Sequence, residues 1–197
     1  MGKKKNNINY KSLTINQIED ELKREKYKSK YVKILTSTIY ALVIISAVSA
    51  LIATLIMPVL QISGSSMNPT FNEGEIVASL KTNNLESGNV IAFYHGNKIL
   101  VKRVIAKAGS YVNMDEDGNV YVDGVLLEES YIEEVSLSEV DIEFPYQVPD
   151  GHYFVLGDNR KESIDSRNSE IGSVSQEDII GKIIFRIWPL KKFEIIK

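Results

Sequence analysis

The chain contains no cysteine and only two histidines, His95 and His152. Without cysteine there is no thiol nucleophile and no disulfide, and so little histidine excludes a zinc site of the usual His/Cys type. The sequence also has no Gly-x-Ser-x-Gly elbow and no P-loop. Catalysis, if any, is therefore left to hydroxyl, lysine and carboxylate groups.

The composition is that of a folded protein, with 25% charged and 44% hydrophobic residues in a chain of 197. Its charge is unevenly distributed. Residues 1–33 carry ten Lys or Arg and four acidic residues, a net charge of about +6, and because the whole chain is at −3 the remainder is at about −9. Residues 61–197 are numerous enough to form a core by packing alone.

A long apolar run follows the basic segment. Residues 34–72 contain no charge, and residues 39–60 are almost continuously apolar. At about 1.5 Å per helical residue this run reaches roughly 33 Å, enough to cross a bilayer core of about 30 Å. A buried core helix and a cleavable signal peptide are the alternatives, but the run is too long and uniform for the first and too long and too far from the N-terminus for the second. The positive-inside rule then predicts a cytoplasmic arm over 1–33, a transmembrane helix over 34–60 and an extracytoplasmic domain over 61–197.

The segments on either side of this run differ in pattern. Thr14 is a suitable N-cap for an amphipathic helix over 15–28 in the arm. Beyond the run, short β-type segments alternate with turn formers, which predicts a mainly antiparallel β domain. Those segments are 75–78, 90–94, 99–101, 120–122, 153–156 and 183–188. Residues 128–143, with six glutamates and one aspartate, are interpreted as a solvated excursion between strands.

Three strings carry the residues capable of chemistry: GSSMNPT at 64–70, KRVIAKAG at 102–109 and GDNRKESIDSR at 157–167. Each also has a structural explanation: a polar exit from the membrane span, a solvated charge pair at a strand end and a hydrogen-bonded turn. A serine hydroxyl becomes a nucleophile only when a base removes its proton. Because histidine is so scarce, Lys102 is a candidate for the base that activates Ser66.

These strings, in this order after one amino-terminal span, resemble the type I signal peptidases, particularly the short single-span form typical of Gram-positive bacteria. The resemblance covers roughly residues 60–190. It implies that Ser66 is the nucleophile and Lys102 its general base. It also implies three supporting residues: Ser163, which hydrogen-bonds the lysine, and Asp165 and Arg167, which hold the site together.

The same resemblance implies a membrane-bound serine endopeptidase that uses no metal and no cofactor. Its partners would be exported preproteins and the lipid bilayer, not nucleic acid, and cleavage would follow a small-x-small sequence. The apolar subsites would be lined by Ile62, Met67, Phe71 and Val101. The backbone N–H of Ser66 would donate to the oxyanion, and Gly64 stands where some members carry a second donor, a serine hydroxyl.

Two other functions are compatible with parts of the sequence. One is an inactive paralogue acting as a membrane-tethered binding module, and the five intact site residues argue against it. The other is a self-cleaving repressor-type Ser/Lys peptidase, which the membrane span and the lack of a DNA-binding module disfavour. Since Ser66 and Lys102 lie 36 positions apart, the distance between Ser66 Oγ and Lys102 Nζ is the decisive measurement.

Overall fold

The computed structural model describes residues 14–136 and 140–196 of the chain. It divides into two compact units, one of residues up to Ile52 and one from Ala53 onward.

Among the described residues the first unit contains one helix, α1 (Ile15–Ile56), whose residues from Ala53 onward belong to the second unit. It begins where the Thr14 N-cap predicts, and the side chain of Gln17 accepts a hydrogen bond from the Thr14 backbone N–H at 3.0 Å, as in half of a capping box. The amphipathic helix expected over 15–28 is therefore the first part of a helix of 42 residues. Within the described residues, α1 is the one helix long and apolar enough to cross a membrane, with a mean hydropathy of 2.1 in its most apolar window.

The helix ends before the apolar run does. Residues 34–60 were expected to form the transmembrane helix, but α1 stops at Ile56 and residues 59–61 form the first strand. Pro58 explains the difference, because proline lacks a backbone N–H and disfavours helical backbone in the residue before it.

The second unit is mainly β, as the sequence predicts, and every strand pairing in it is antiparallel. In chain order the strands are β1 (Val59–Gln61), β2 (Ile76–Leu80), β3 (Val90–His95), β4 (Lys98–Lys107), β5 (Tyr111–Met114), β6 (Val120–Val122), β7 (Val125–Leu126), β8 (Tyr146–Gln147), β9 (His152–Leu156), β10 (Val174–Ser175), β11 (Ile179–Trp188) and β12 (Glu194–Ile195).

These strands form two sheets. The larger has the order β1-β2-β11-β3-β4-β9-β10, with β12 also paired to β11, and the smaller has the order β7-β6-β5-β8. Strand β4 lies inside the larger sheet, where Lys102 is opposite Ile91 of β3 and Arg103 is opposite Leu156 of β9. The Lys-Arg pair is therefore in the middle of a central strand and buried, which rules out the alternative explanation as a solvated charge pair at a strand end.

One apolar cluster includes residues from the connection that carries Ser66. It comprises Ile62, Met67, Phe71, Val77, Val90, Ala92 and Ile183, contributed by the β1–β2 connection and by strands β2, β3 and β11. Burial of such side chains stabilises the fold by roughly 1.5–3 kcal/mol each. The connection that carries Ser66 is thus anchored to the sheet by its own apolar residues.

The acidic stretch 128–143 differs from the solvated excursion expected of it. The side chain of Glu129 is only 6% exposed and forms an ion pair with Arg160, whose side chain is 1% exposed. Tyr131, two residues later, places its ring against Arg103. The interpretation as a solvated excursion is therefore wrong for this part of the stretch, because its polar groups have buried partners far away in sequence.

Candidate active site

Ser66 lies in the connection between β1 and β2, and this connection is held at several points. Ile62 donates its backbone N–H to the Glu75 carbonyl at 2.8 Å, which closes the base of the loop. Met67 and Phe71, four residues apart, are buried in the apolar cluster and joined by a hydrogen bond from Phe71 N–H to the Met67 carbonyl. Ser66 therefore sits on a turn whose conformation is fixed on both sides.

Lys102 reaches Ser66 across the sheet. Its Nζ lies 2.8 Å from Ser66 Oγ, within hydrogen-bond distance, although 36 positions separate the two residues. Lys102 is 3% exposed. The distance between these two atoms, which the sequence does not determine, is thus short enough for direct proton transfer between amine and hydroxyl.

Burial also changes the acid–base behaviour of this lysine. Desolvation lowers the pKa of Lys102 to about 8, while the Asp165 carboxylate raises it, Arg167 lowers it and Asp158 raises it. A free lysine is neutral in roughly one molecule in several thousand at pH 7, whereas a lysine with a pKa near 8 is neutral in roughly one in ten. The fold thus supplies a substantial fraction of amine able to accept a proton.

The loop after β9, residues 157–167, contains a buried ion pair. Arg167 donates from Nε and Nη2 to the two carboxylate oxygens of Asp165 at 2.8 and 2.9 Å. The second oxygen of Asp165 also accepts from the Gly157 backbone N–H at 3.0 Å. The paired geometry supports the structural role expected for Asp165 and Arg167, since a two-pronged contact fixes both position and orientation.

Ser163 is brought to the same place but makes a different set of contacts. It is buried, and its hydroxyl has no hydrogen-bond partner among the residues that the structure describes. The hydrogen bond to Lys102 expected from the resemblance is not formed here and stays a prediction. Ser163 also lies against Gly157. A Cβ added at Gly157 would lie 2.2 Å from Ser163 Oγ and 2.6 Å from the Ser66 carbonyl oxygen.

A second buried ion pair, not anticipated from the sequence, lies beside the first. Arg103 donates from Nε to Asp158 at 2.8 Å, and Thr70 donates its hydroxyl to the same carboxylate at 2.5 Å. Arg103 also donates to the Gly88 carbonyl at 2.7 Å. This pair joins β4 to the Ser66 loop and to the 157–167 loop. Both residues occur in the quoted strings, but nothing in the strings indicates that they meet.

A groove of about 300 Å³ leads to Ser66 and Lys102. Three of the four residues expected to form subsites, Ile62, Met67 and Val101, line it. Phe71 does not; it is fully buried in the apolar cluster behind the groove. Sequence reasoning missed the groove residues contributed by β1 and by the start of β4, which are Val59, Leu60, Gln61, Ile99 and Leu100.

A separate cavity of about 730 Å³ is larger than this groove. It is lined by the β2–β3 connection, the turn before β9 and the segment between β10 and β11, and not by Ser66 or Lys102. His152 is among its lining residues. Its size alone does not make it the candidate site, since the hydrogen-bonded Ser66 and Lys102 both line the smaller groove.

Known proteins resemble this chain over most of its length. The family described as "Signal peptidase, peptidase S26" matches residues 35–188. Signal peptidase IB of Staphylococcus aureus is 39% identical over 154 residues, which cover 68% of this chain and 78% of that protein. Thylakoidal processing peptidase 1, chloroplastic, of Arabidopsis thaliana is 32% identical over 148 residues, covering 66% of this chain and 42% of that protein. A crystal structure of a signal peptidase I from Enterococcus faecalis has a TM-score of 0.44 at 31% identity, covering 52% of this chain and 98% of that chain.

Proposed function

Since the chain belongs to the signal peptidase family, peptidase S26, and is a serine peptidase of that family, we propose that it removes signal peptides from exported preproteins with Ser66 as nucleophile and Lys102 as general base. The observation that carries the proposal is the 2.8 Å separation of Lys102 Nζ and Ser66 Oγ in a buried setting. The same hydrogen bond argues against an inactive paralogue that keeps only the fold.

The reaction would proceed in two proton-balanced steps. Neutral Lys102 takes the proton of the Ser66 hydroxyl while Oγ attacks the scissile carbonyl carbon, and the resulting ammonium gives that proton to the leaving amine. Lys102, neutral again, then takes a proton from a water molecule whose oxygen attacks the acyl-enzyme carbonyl carbon. As the ester bond breaks, the Lys102 ammonium returns the proton to Ser66 Oγ, which regenerates the free hydroxyl and the neutral amine. The backbone N–H of Ser66 would donate to the oxyanion in both steps.

The pH dependence tests this proposal. Activity requires neutral Lys102, so kcat/KM should fall as the pH drops through about 8, the pKa of this lysine, and should stay high at pH 9. The measurement is cleavage of a signal-peptide substrate by the detergent-solubilised full chain between pH 5 and 10. A rise centred near 6.5 with a plateau above pH 7.5 would indicate a histidine base instead.

Cleavage specificity is the second part of the proposal. The apolar groove beside Ser66 is small, so it would admit alanine-sized side chains one and three residues before the cut and exclude larger ones. We expect a peptide with alanine at both positions to be cleaved and one with phenylalanine immediately before the bond to lose about 100-fold or more in kcat/KM. Equal cleavage of the two peptides would show that the groove is misassigned.

The family and the single amino-terminal apolar helix support a membrane-anchored enzyme. We propose that the N-terminus is cytoplasmic and residues 61–197 are extracytoplasmic, because the lysines cluster before the span and the acids after it. Protease added to intact cells should then remove the carboxyl-terminal domain and spare the arm. Protection of that domain from outside would reverse the orientation.

A further inference from the structure

Residues 128–136, here called the acidic strap, lie against the loop and the strand that surround Lys102. The strap's Glu129 contacts Arg160 through both carboxylate oxygens, one of them accepting from Arg160 Nη1 at 2.8 Å and the other from Nη2. Both side chains are almost fully buried. Such a contact constrains the direction of the guanidinium plane as well as its position.

Arg160 also forms hydrogen bonds within the 157–167 loop, so its contact with Glu129 restricts that loop as well. Its Nε donates to the Gly157 carbonyl at 3.1 Å, and its own carbonyl accepts from Arg167 Nη2 at 2.8 Å. Arg167 in turn holds Asp165, and the charges of both act on Lys102. The strap also contacts Arg167 directly, because Arg167 Nη1 donates to the Ser136 carbonyl at 3.3 Å.

A second contact of the strap reaches β4. The Arg103 guanidinium carbon lies 4.0 Å from the centroid of the Tyr131 ring. The Tyr131 hydroxyl donates to Glu129 at 2.6 Å. Arg103 directly follows Lys102 and is paired with Asp158. One short segment therefore touches both structures that place charges around the lysine.

Three buried ion pairs lie in this part of the structure: Arg103 with Asp158, Arg167 with Asp165, and Arg160 with Glu129. If Glu129 lost its charge, Arg160 would be left as a buried guanidinium without its counter-charge, close enough to Asp165 for their charges to interact. It would compete with Arg167 for Asp165, and the Asp165 carboxylate, whose charge acts on Lys102, would move.

We propose that Glu129 and Tyr131 are positioning residues, which act through Arg160 and Arg103 to hold the 157–167 loop and β4 in the arrangement that Lys102 needs. This inference rests on the proposed Ser66–Lys102 mechanism. The strap does not line the substrate groove. It therefore affects the chemical step and not the binding of the signal peptide.

The test is a kinetic comparison of full-length variants in detergent with a signal-peptide substrate. Glu129→Gln should lower kcat about 10- to 100-fold, as expected for a misplaced catalytic group, while KM changes less than twofold. Tyr131→Phe keeps the ring on Arg103 and loses the hydroxyl, so it should lower kcat less than Tyr131→Leu does. The matched control is Glu128→Gln, which removes the same charge from the exposed residue next to Glu129 and should leave kcat unchanged.

The Glu129→Gln variant could lose activity because the loop is misplaced or because Arg160 is left buried without its counter-charge. A double variant, Glu129→Gln with Arg160→Gln, distinguishes these two causes. It has no unpaired guanidinium at this site, so its thermal unfolding temperature should recover towards wild type while kcat stays low, because the link from strap to loop is still missing. Recovery of kcat in the double variant, a wild-type kcat for Glu129→Gln, or a loss seen only in KM would each overturn the proposal. A parallel Lys102→Met sample keeps the two hypotheses apart, since an active Lys102→Met enzyme contradicts the mechanism and not merely the strap.

Discussion

Lys102→Met and Ser66→Ala are each expected to lower kcat about ten-thousand-fold or more, in line with the loss of one member of a catalytic unit. Methionine resembles lysine in length and tolerates burial, so Lys102→Met removes the amine without opening a cavity at a position that is 3% exposed. Ser66→Ala deletes only the oxygen that Lys102 contacts at 2.8 Å. The measurement is single-turnover cleavage of a signal-peptide substrate by purified, folded enzyme.

The controls for this result are the two histidines. His95 ends β3, and His152 lines the separate cavity. His95→Ala and His152→Ala should therefore keep most of the activity. Should Lys102→Met remain active while a histidine substitution abolishes cleavage, the base is a histidine and the assignment of Lys102 is wrong.

Gly157→Ala is expected to have the next largest effect. A Cβ at this position would lie 2.2 Å from Ser163 Oγ, 2.5 Å from Ser163 Cβ and 2.6 Å from the Ser66 carbonyl oxygen, distances that require atoms to move. The atoms that must move belong to Ser66 and to Ser163. We expect kcat to fall about 100-fold, because a shift of about 1 Å in a catalytic group has that effect, together with a loss of about 1–3 kcal/mol of stability from overpacking.

Gly181→Ala is a matched control for this steric effect. A Cβ at Gly181 would also be too close to its surroundings, at 2.6 Å from the Leu80 carbonyl oxygen, but it would press on the backbone of β2 and not on Ser66 or Ser163. It should lower the free energy of unfolding while the folded fraction keeps most of its kcat. If both variants lose activity only in proportion to unfolding, Gly157 has no special part in the geometry of the site.

The parts of the fold that the sequence predicts well are those specified by local patterns. Strands β3, β6 and β9 lie within one residue of the apolar runs assigned to them, because each run has turn formers close to its ends. The helix start at Ile15 follows from a local cap, and its end at Ile56 reflects Pro58, which the apolar count alone overlooked. Strands β1, β5, β7, β8, β10 and β12 were missed, since short strands depend on their partners more than on their own sequence.

In the candidate site, too, local strings indicate some features and packing decides others. The short strings single out Ser66, Lys102, Asp165 and Arg167. In the structure Lys102 contacts Ser66 and Arg167 contacts Asp165, while the roles of these residues stay predictions. Phe71 lies in the same loop as Ser66, but it is buried in the apolar cluster and does not line the groove. The hydrogen bond from Ser163 to Lys102 stays a prediction, since the Ser163 hydroxyl is buried and has no partner among the described residues.

By itself the sequence determined which chemistry is available: no thiol, scarcely any imidazole, an apolar stretch long enough for a membrane and a charge imbalance across it. These properties depend on composition and on neighbours within a few residues. Only the tertiary structure decided that Lys102 lies 2.8 Å from Ser66, that its pKa falls to about 8 and that Glu129 is buried against Arg160. The physical reason is that desolvation and ion pairing act between side chains close in space, and strand pairing brings together groups that are tens of residues apart in the chain.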